Sequence, residues 1–187
     1  MRERRQHNRF TYGLELLAIR LRDLFRSPAK VLLNAGIQES MSVLDFGCGP
    51  GGFALAAARI VGPKGRVYAV DIQPAALDFV RRAAVRQKAG HLLPLHRNRI
   101  GEVPEHSVDV ALLYDVIHIY PDTHSMSDIL AAIHRVLKPR ATLSVSDHHL
   151  QASSILSKIE RDFFFRFINR NRQTFQFMRM EPPKVAK

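Results

Sequence analysis

The stretch VLDFGCGPGG, residues 43–52, decides how the chain is read. A short apolar run, MSVLDF, meets a glycine-rich turn in which Gly47, Gly49 and Gly52 spell G-x-G-x-x-G. Glycines at such a turn allow the backbone to approach a ligand without side-chain clash. Asp45, two residues ahead of Gly47, is out of place for a dinucleotide, because a pyrophosphate on the following helix would be repelled by it. The loop instead suits a ligand with a cationic end.

Working outward, GPKG (Gly62–Gly65) reads as a turn and RVYAVD (Arg66–Asp71) as a second buried strand. Between loop and turn, FALAAARIV is a helix, with Phe53, Ala56, Ala57 and Ile60 expected on its buried face. Pro74 opens a further helix whose stripe is Ala76, Leu77, Val80, Ala83 and Ala84. HLLPLH is a strand whose proline suits a sheet edge, and SVDVALLYD a buried strand. Ser125-x-x-Asp128 looks like a capping box ahead of Ile129, Ala132, Ile133, Val136 and Leu137. ATLSVSD is another strand and Ser153–Glu160 a short helix. Phe163, Phe165 and Phe167, then Phe175 and Phe177, alternate as in an antiparallel hairpin turning near Asn169–Gln173.

Strands alternating with helices predict an α/β fold: three layers, doubly wound, with a mainly parallel seven-stranded sheet closed by a C-terminal antiparallel hairpin. Ligands of such sheets bind beyond the carboxyl ends of the strands. Asp45, Asp71, Asp115 and Asp147 all fall at those ends. S-adenosylmethionine fits this charge pattern, with its ammonium and sulfonium near Asp45 and its ribose hydroxyls on Asp71. Ile72 would cover one face of the adenine.

The segments VLDFGCGPGG, GRVYAVDIQPAAL, SVDVALLYDVIH and RVLKPRATLSVSD together resemble the class I S-adenosylmethionine-dependent methyltransferases, in order across residues 41–147. The resemblance implies methyl transfer from S-adenosylmethionine, with Asp45, Gly47, Gly49, Gly51, Asp71, Ile72, Asn98 and Tyr114 as cofactor-binding residues. Asn98 is the nearest equivalent of an acidic residue that contacts the adenine amino group in that family, and Arg140 stands where its turn usually has glycines. Candidate bases lie after the fourth and fifth strands: Asp115, His118, Tyr120, Asp147 and His148. His118 and Asp115 are the expected catalytic residues, His118 because its ordinary pKa is near neutrality. His148–His149 is not expected to bind metal, since neighbours on a strand point to opposite faces.

The 187 residues suffice for one domain with a proper core. We expect a helical lid over residues 1–35, the cofactor-binding domain over 36–180 and a tail over 181–187. In the lid segment Tyr12, Arg20 and Arg22 are placed for acceptor recognition. The single cysteine, Cys48, excludes a disulfide within the chain and argues against a multi-cysteine metal site. With no apolar run of about 18 residues and no secretory leader pattern, a cytoplasmic setting is expected.

Net charge is +11, and residues 1–30 and 151–187 each carry 8 basic and 3 acidic side chains. These flanks keep nucleic acid open as a partner. A small-molecule acceptor remains the leading expectation, because YDVIHIY replaces the Asn/Asp-Pro-Pro-aromatic sequence of many amino-directed nucleic-acid methyltransferases. A non-catalytic cofactor-binding scaffold and a nicotinamide-dependent oxidoreductase are the alternatives. Oligomeric state is not legible.

Overall fold

The structure is a computed structural model and describes residues 28–120, 123–172 and 174–181. The strands are β1 (Ser42–Phe46), β2 (Arg66–Asp71), β3 (Leu92–His96), β4 (Val108–Tyr114), β5 (Leu137–Ser146), β6 (Phe165–Asn171) and β7 (Thr174–Arg179). They form one seven-stranded sheet in the order β3-β2-β1-β4-β5-β7-β6. Strands β1 to β5 pair in parallel, and β7 runs antiparallel to both β5 and β6. This is the expected architecture, with the proline-bearing β3 at an edge.

Period-2 alternation sorts the side chains to two cores. Leu44, Tyr68, Val70, Ala111, Leu113, Leu143 and Val145 face one way, under the helices α4 (Thr123–Val136) and α5 (Ala152–Glu160). Val43, Val67, Ala69, Val110 and Leu112 face the other way. There they meet α1 (Pro28–Asn34), α2 (Gly52–Val61) and α3 (Pro74–Arg86). The stripe expected on α3 is the one buried.

Three local expectations are corrected. The buried face of α2 is Ala54, Leu55, Ala57, Ala58 and Val61, while Phe53, Ala56 and Ile60 are only partly buried. Small residues let this helix lie close on the sheet, and the larger Phe53 moves to its flank, edge-on to Tyr114 at 4.8 Å between ring centroids. Helix α4 begins at Thr123, so Ser125 lies inside its first turn instead of capping it. Phe163 precedes β6 with φ 59° and is 81% exposed, outside the alternation that buries Phe165. Residues 1–27, with Tyr12, Arg20 and Arg22, lie outside the described residues, as do 182–187.

Gly51, at φ 87°, starts α2, and a Cβ there would meet Val80 Cγ2 of α3 at 2.7 Å. It serves the α2–α3 contact. Gly51→Ala is expected to lower unfolding free energy by about 1–3 kcal/mol in urea denaturation. Gly90→Ala, where a Cβ meets nothing within 4 Å, should change it by less than about 0.5 kcal/mol.

Candidate active site

The glycine turn is pinned to the end of β2. The N–H groups of Gly47 and Cys48 donate to the Val70 carbonyl at 2.8 and 3.0 Å. The Gly49 N–H donates to Asp71 Oδ2 at 2.8 Å, and Gln73 N–H donates to Asp71 Oδ1 at 2.8 Å. Gly47 and Gly49 both have left-handed φ, 82° and 50°. A Cβ on Gly47 would run into Val116 at 2.4 Å, whereas at Gly49 it would meet nothing within 4 Å. The turn is therefore packed on one side and open at Gly49.

That opening belongs to a cavity of about 350 Å³ over the ends of β1, β2 and β4. Its wall includes Gly47, Gly49, Asp71, Ile72 and Asp115 from the expected set. Phe46, Val70, Gln73, Val116, Ile119 and Tyr120 also line it, together with Arg97. Asp45 is buried, 2% exposed, in β1 just before the turn. Gly51 packs on α3 instead of lining the wall. Tyr114 is also off the wall: it is buried and its hydroxyl is 2.8 Å from Ser144 Oγ, with burial pushing its pKa up. Asn98 is exposed and off the wall, its Oδ1 2.7 Å from His96 Nδ1. Burial, then the charges of Asp45 and Asp71, raise the pKa of Cys48 well above its ordinary value, so it stays a thiol.

Beyond β4 and β5 the two loops exchange partners. Asp147, following β5, accepts the His118 backbone N–H at 2.9 Å and the ring Nδ1–H at 3.0 Å. It also accepts the His149 N–H at 3.1 Å. Asp115, following β4, accepts from His148 Nδ1 at 2.6 Å and from the His148 backbone N–H at 3.2 Å. Asp115 is in the left-handed region, φ 54°, which turns its carboxylate toward the β5 loop. The His149 ring is close to the other two and tilted against both, with centroids 4.1 Å from His118 and 3.9 Å from His148.

The expectation that His148 and His149 point to opposite faces fails, because β5 ends at Ser146 and both residues lie in the turn beyond it. Sequence reading passed over two features of this edge. Arg97 was hidden by attention to Asn98, although it directly follows the β3 run. The pairing of Asp147 with His118 needed the β4–β5 adjacency, which no local pattern carries.

Residues 37–180 match the methyltransferase domain family. The chain belongs to that family. Its fold is that of the class I S-adenosylmethionine-dependent methyltransferases. A solved S-adenosylmethionine-dependent methyltransferase from Aquifex aeolicus superposes with a TM-score of 0.68 at 23% identity, over 81% of this chain and 88% of that one. An arsenite methyltransferase of Halobacterium salinarum is 30% identical over 115 residues, 60% of this chain and 28% of that protein. A demethylmenaquinone methyltransferase of Geobacillus kaustophilus is 27% identical over 139 residues, 74% of this chain and 58% of that protein. The chain thus spans less than two thirds of each of these two relatives. Family and fold imply S-adenosylmethionine as the cofactor. Among the described residues no helix is long and apolar enough to cross a membrane.

Burial pushes the Asp147 pKa up, but the N–H groups of His118 and His149 outweigh it and hold the pKa below the usual carboxylate range. A depressed folded-state pKa means that Asp147 stabilises the fold fully above its unfolded value near 4 and loses this as pH falls through the lower folded value. Urea denaturation of wild type and Asp147→Asn should therefore show a larger stability gap at pH 7 than at pH 3.

Proposed function

We propose that the protein transfers the methyl group of S-adenosylmethionine to a small-molecule acceptor. The observation that carries the reading is the Gly49 opening beside Asp71, over a cavity whose edge is rich in carboxylates. The residues present fit the cofactor. A turn open at Gly49 leaves room for close backbone approach. Both Asp71 oxygens keep acceptor capacity for ribose hydroxyls beyond their backbone bonds. Buried Asp45 beneath the turn favours a cationic end.

When bound, the cofactor supplies a methyl group already activated on a sulfonium. The chain then has to align an acceptor with that methyl and exclude water. Val116, Ile119 and Tyr120 provide the wall on the β4 side. With Asp147 ionised, His118 carries its proton on Nδ1 and its lone pair on Nε2. His118 is the general base in this reading, and Asp147 positions it. Asp115 sits on the cavity wall and gives His148 the same tautomer. The arsenite and demethylmenaquinone methyltransferases are named for small acceptors, which supports this substrate class. In this reading residues 36–180 are the catalytic unit, while α1, from the segment expected to be a lid, packs into the core with α2 and α3.

Calorimetric titration with S-adenosylhomocysteine should give saturable binding, and Asp71→Asn should weaken it by about tenfold or more through loss of charged ribose contacts. Absence of binding by folded wild type would overturn the reading. With an acceptor in hand, His118→Gln should lower kcat by about 10²-fold or more while leaving S-adenosylhomocysteine affinity unchanged. Full turnover of that variant across pH 6–8 would remove His118 as the base.

A further inference from the structure

The basic C-terminal flank has no part in the cofactor site, and the fold gathers much of it at one rim. Residues 161–172, RDFFFRFINRNR, run from the end of α5 through β6, the outermost strand of the sheet. They carry four arginines, Arg161, Arg166, Arg170 and Arg172, all exposed, against a single acid. That acid, Asp162, is turned to α4, where the Ser127 hydroxyl donates to its Oδ2 at 2.5 Å. Among the described residues none of the four arginines forms an ion pair with a carboxylate. Arg179 of the same flank differs, being buried and paired with Glu181.

The rim also exposes two large apolar side chains, Phe163 at 81% and Ile168 at 50%. Their neighbours turn inward. Phe165 is buried, Phe164 lies 5.1 Å from the His134 ring and Phe167 lies 5.8 Å from Phe177, between centroids. A break in regular backbone accompanies each exposure. Phe163 has φ 59°, a left-handed conformation uncommon for a bulky residue. Ile168 falls at the register shift between Phe167 and Asn169 in the β6–β7 pairing. Backbone strain of this kind concentrates at functional positions.

Apolar side chains exposed beside arginines without acidic partners match a surface that is anionic outside and apolar just beneath. We propose that the β6 rim docks the protein on a membrane surface of anionic phospholipid. The arginines meet headgroup phosphates, while Phe163 and Ile168 enter the boundary between headgroups and acyl chains. Two other partners fit less well. Single-stranded RNA is held on aromatic faces where bases stack, and Ile168 offers none. A second copy pairing along the strand edge would compete with Glu160, whose Oε1 already accepts the Phe167 N–H at 2.8 Å.

Vesicle co-sedimentation of the full chain tests this. Wild type should bind vesicles of equimolar phosphatidylcholine and phosphatidylglycerol at least about tenfold more strongly than phosphatidylcholine alone. Raising sodium chloride to about 0.5 M should remove most of that preference. Arg166→Glu with Arg172→Glu should weaken anionic-vesicle binding by about tenfold or more. Lys64→Glu with Arg86→Glu makes the same charge change at exposed residues across the sheet, beside β2 and α3. That pair should weaken binding by less than about threefold. Equal losses from both pairs would reduce the effect to general attraction by the net charge of +11 and end the proposal.

The apolar half has its own test. Phe163→Ser with Ile168→Ser keeps the charge and should weaken anionic-vesicle binding by about tenfold or more. Unchanged binding, with a native circular-dichroism spectrum, would refute insertion. The chain has no tryptophan, so Phe163→Trp supplies a single reporter. Its emission should move to the blue on anionic vesicles, and unshifted emission from vesicle-bound protein would also refute insertion. Binding of a single-stranded RNA oligonucleotide, with no partition onto anionic vesicles, would overturn the proposal and assign the rim to nucleic acid.

Discussion

One carboxylate holding two backbone donors organises this site. Asp71 accepts the Gly49 and Gln73 N–H groups, each at 2.8 Å, and so joins the turn after β1 to the start of α3. The bond fixes a glycine turn whose left-handed residues would otherwise have wide conformational freedom. It also brings negative charge to a place where a helix N-terminus would ordinarily welcome anions. With Asp45 buried close by, the combined field adds to burial in raising the Cys48 thiol pKa and disfavours a phosphate-bearing ligand. A ligand that is cationic at one end and hydroxylated in the middle relieves this accumulation of charge. The dinucleotide reading of the same glycine spacing fails on that electrostatic ground.

The second organising feature lies one strand further along. Because β4 and β5 are parallel neighbours, their C-terminal loops emerge side by side, and each supplies the carboxylate that the other's histidine needs. The exchange ties the loops together and settles both tautomers at once. It leaves Nε2 as the basic atom of both rings, which is the atom a proton acceptor must present. The His149 ring lies against both, its centroid 4.1 Å from His118 and 3.9 Å from His148.

Much of this architecture was legible in local pattern. Apolar runs ending in aspartate marked the parallel strands, and a proline in LLPLH marked an edge strand. The stripe on α3 followed from helical spacing. What failed was whatever depended on contacts distant in sequence. The buried face of α2 was misplaced because the contact with Tyr114, and not the helix's own periodicity, decides where Phe53 goes. Phe163 fits an alternating pattern, yet its backbone turns away before β6 begins. Asn98 drew attention because an amide oxygen resembles a carboxylate oxygen, but the His96 ring lies against it. The swapped His–Asp partners span 29 and 33 residues, beyond any motif's reach.

The strand order also gives the edge a direction. Moving from β3 through β2 and β1 to β4 and β5, the groups change from the guanidinium of Arg97 to the carboxylates of Asp71 and Asp45. They end in the imidazoles of the β4 and β5 loops. Arg97, Asp71 and Asp115 thus line separate stretches of a single cavity. A ligand with a base, a sugar and a charged tail matches these stretches in one orientation only, because reversal would set its cation against Arg97. Under the proposed reading, that orientation brings the charged tail toward Asp115 on the cavity wall. Positioning in this protein is therefore set as much by the order of charges along the sheet edge as by the shape of the pocket.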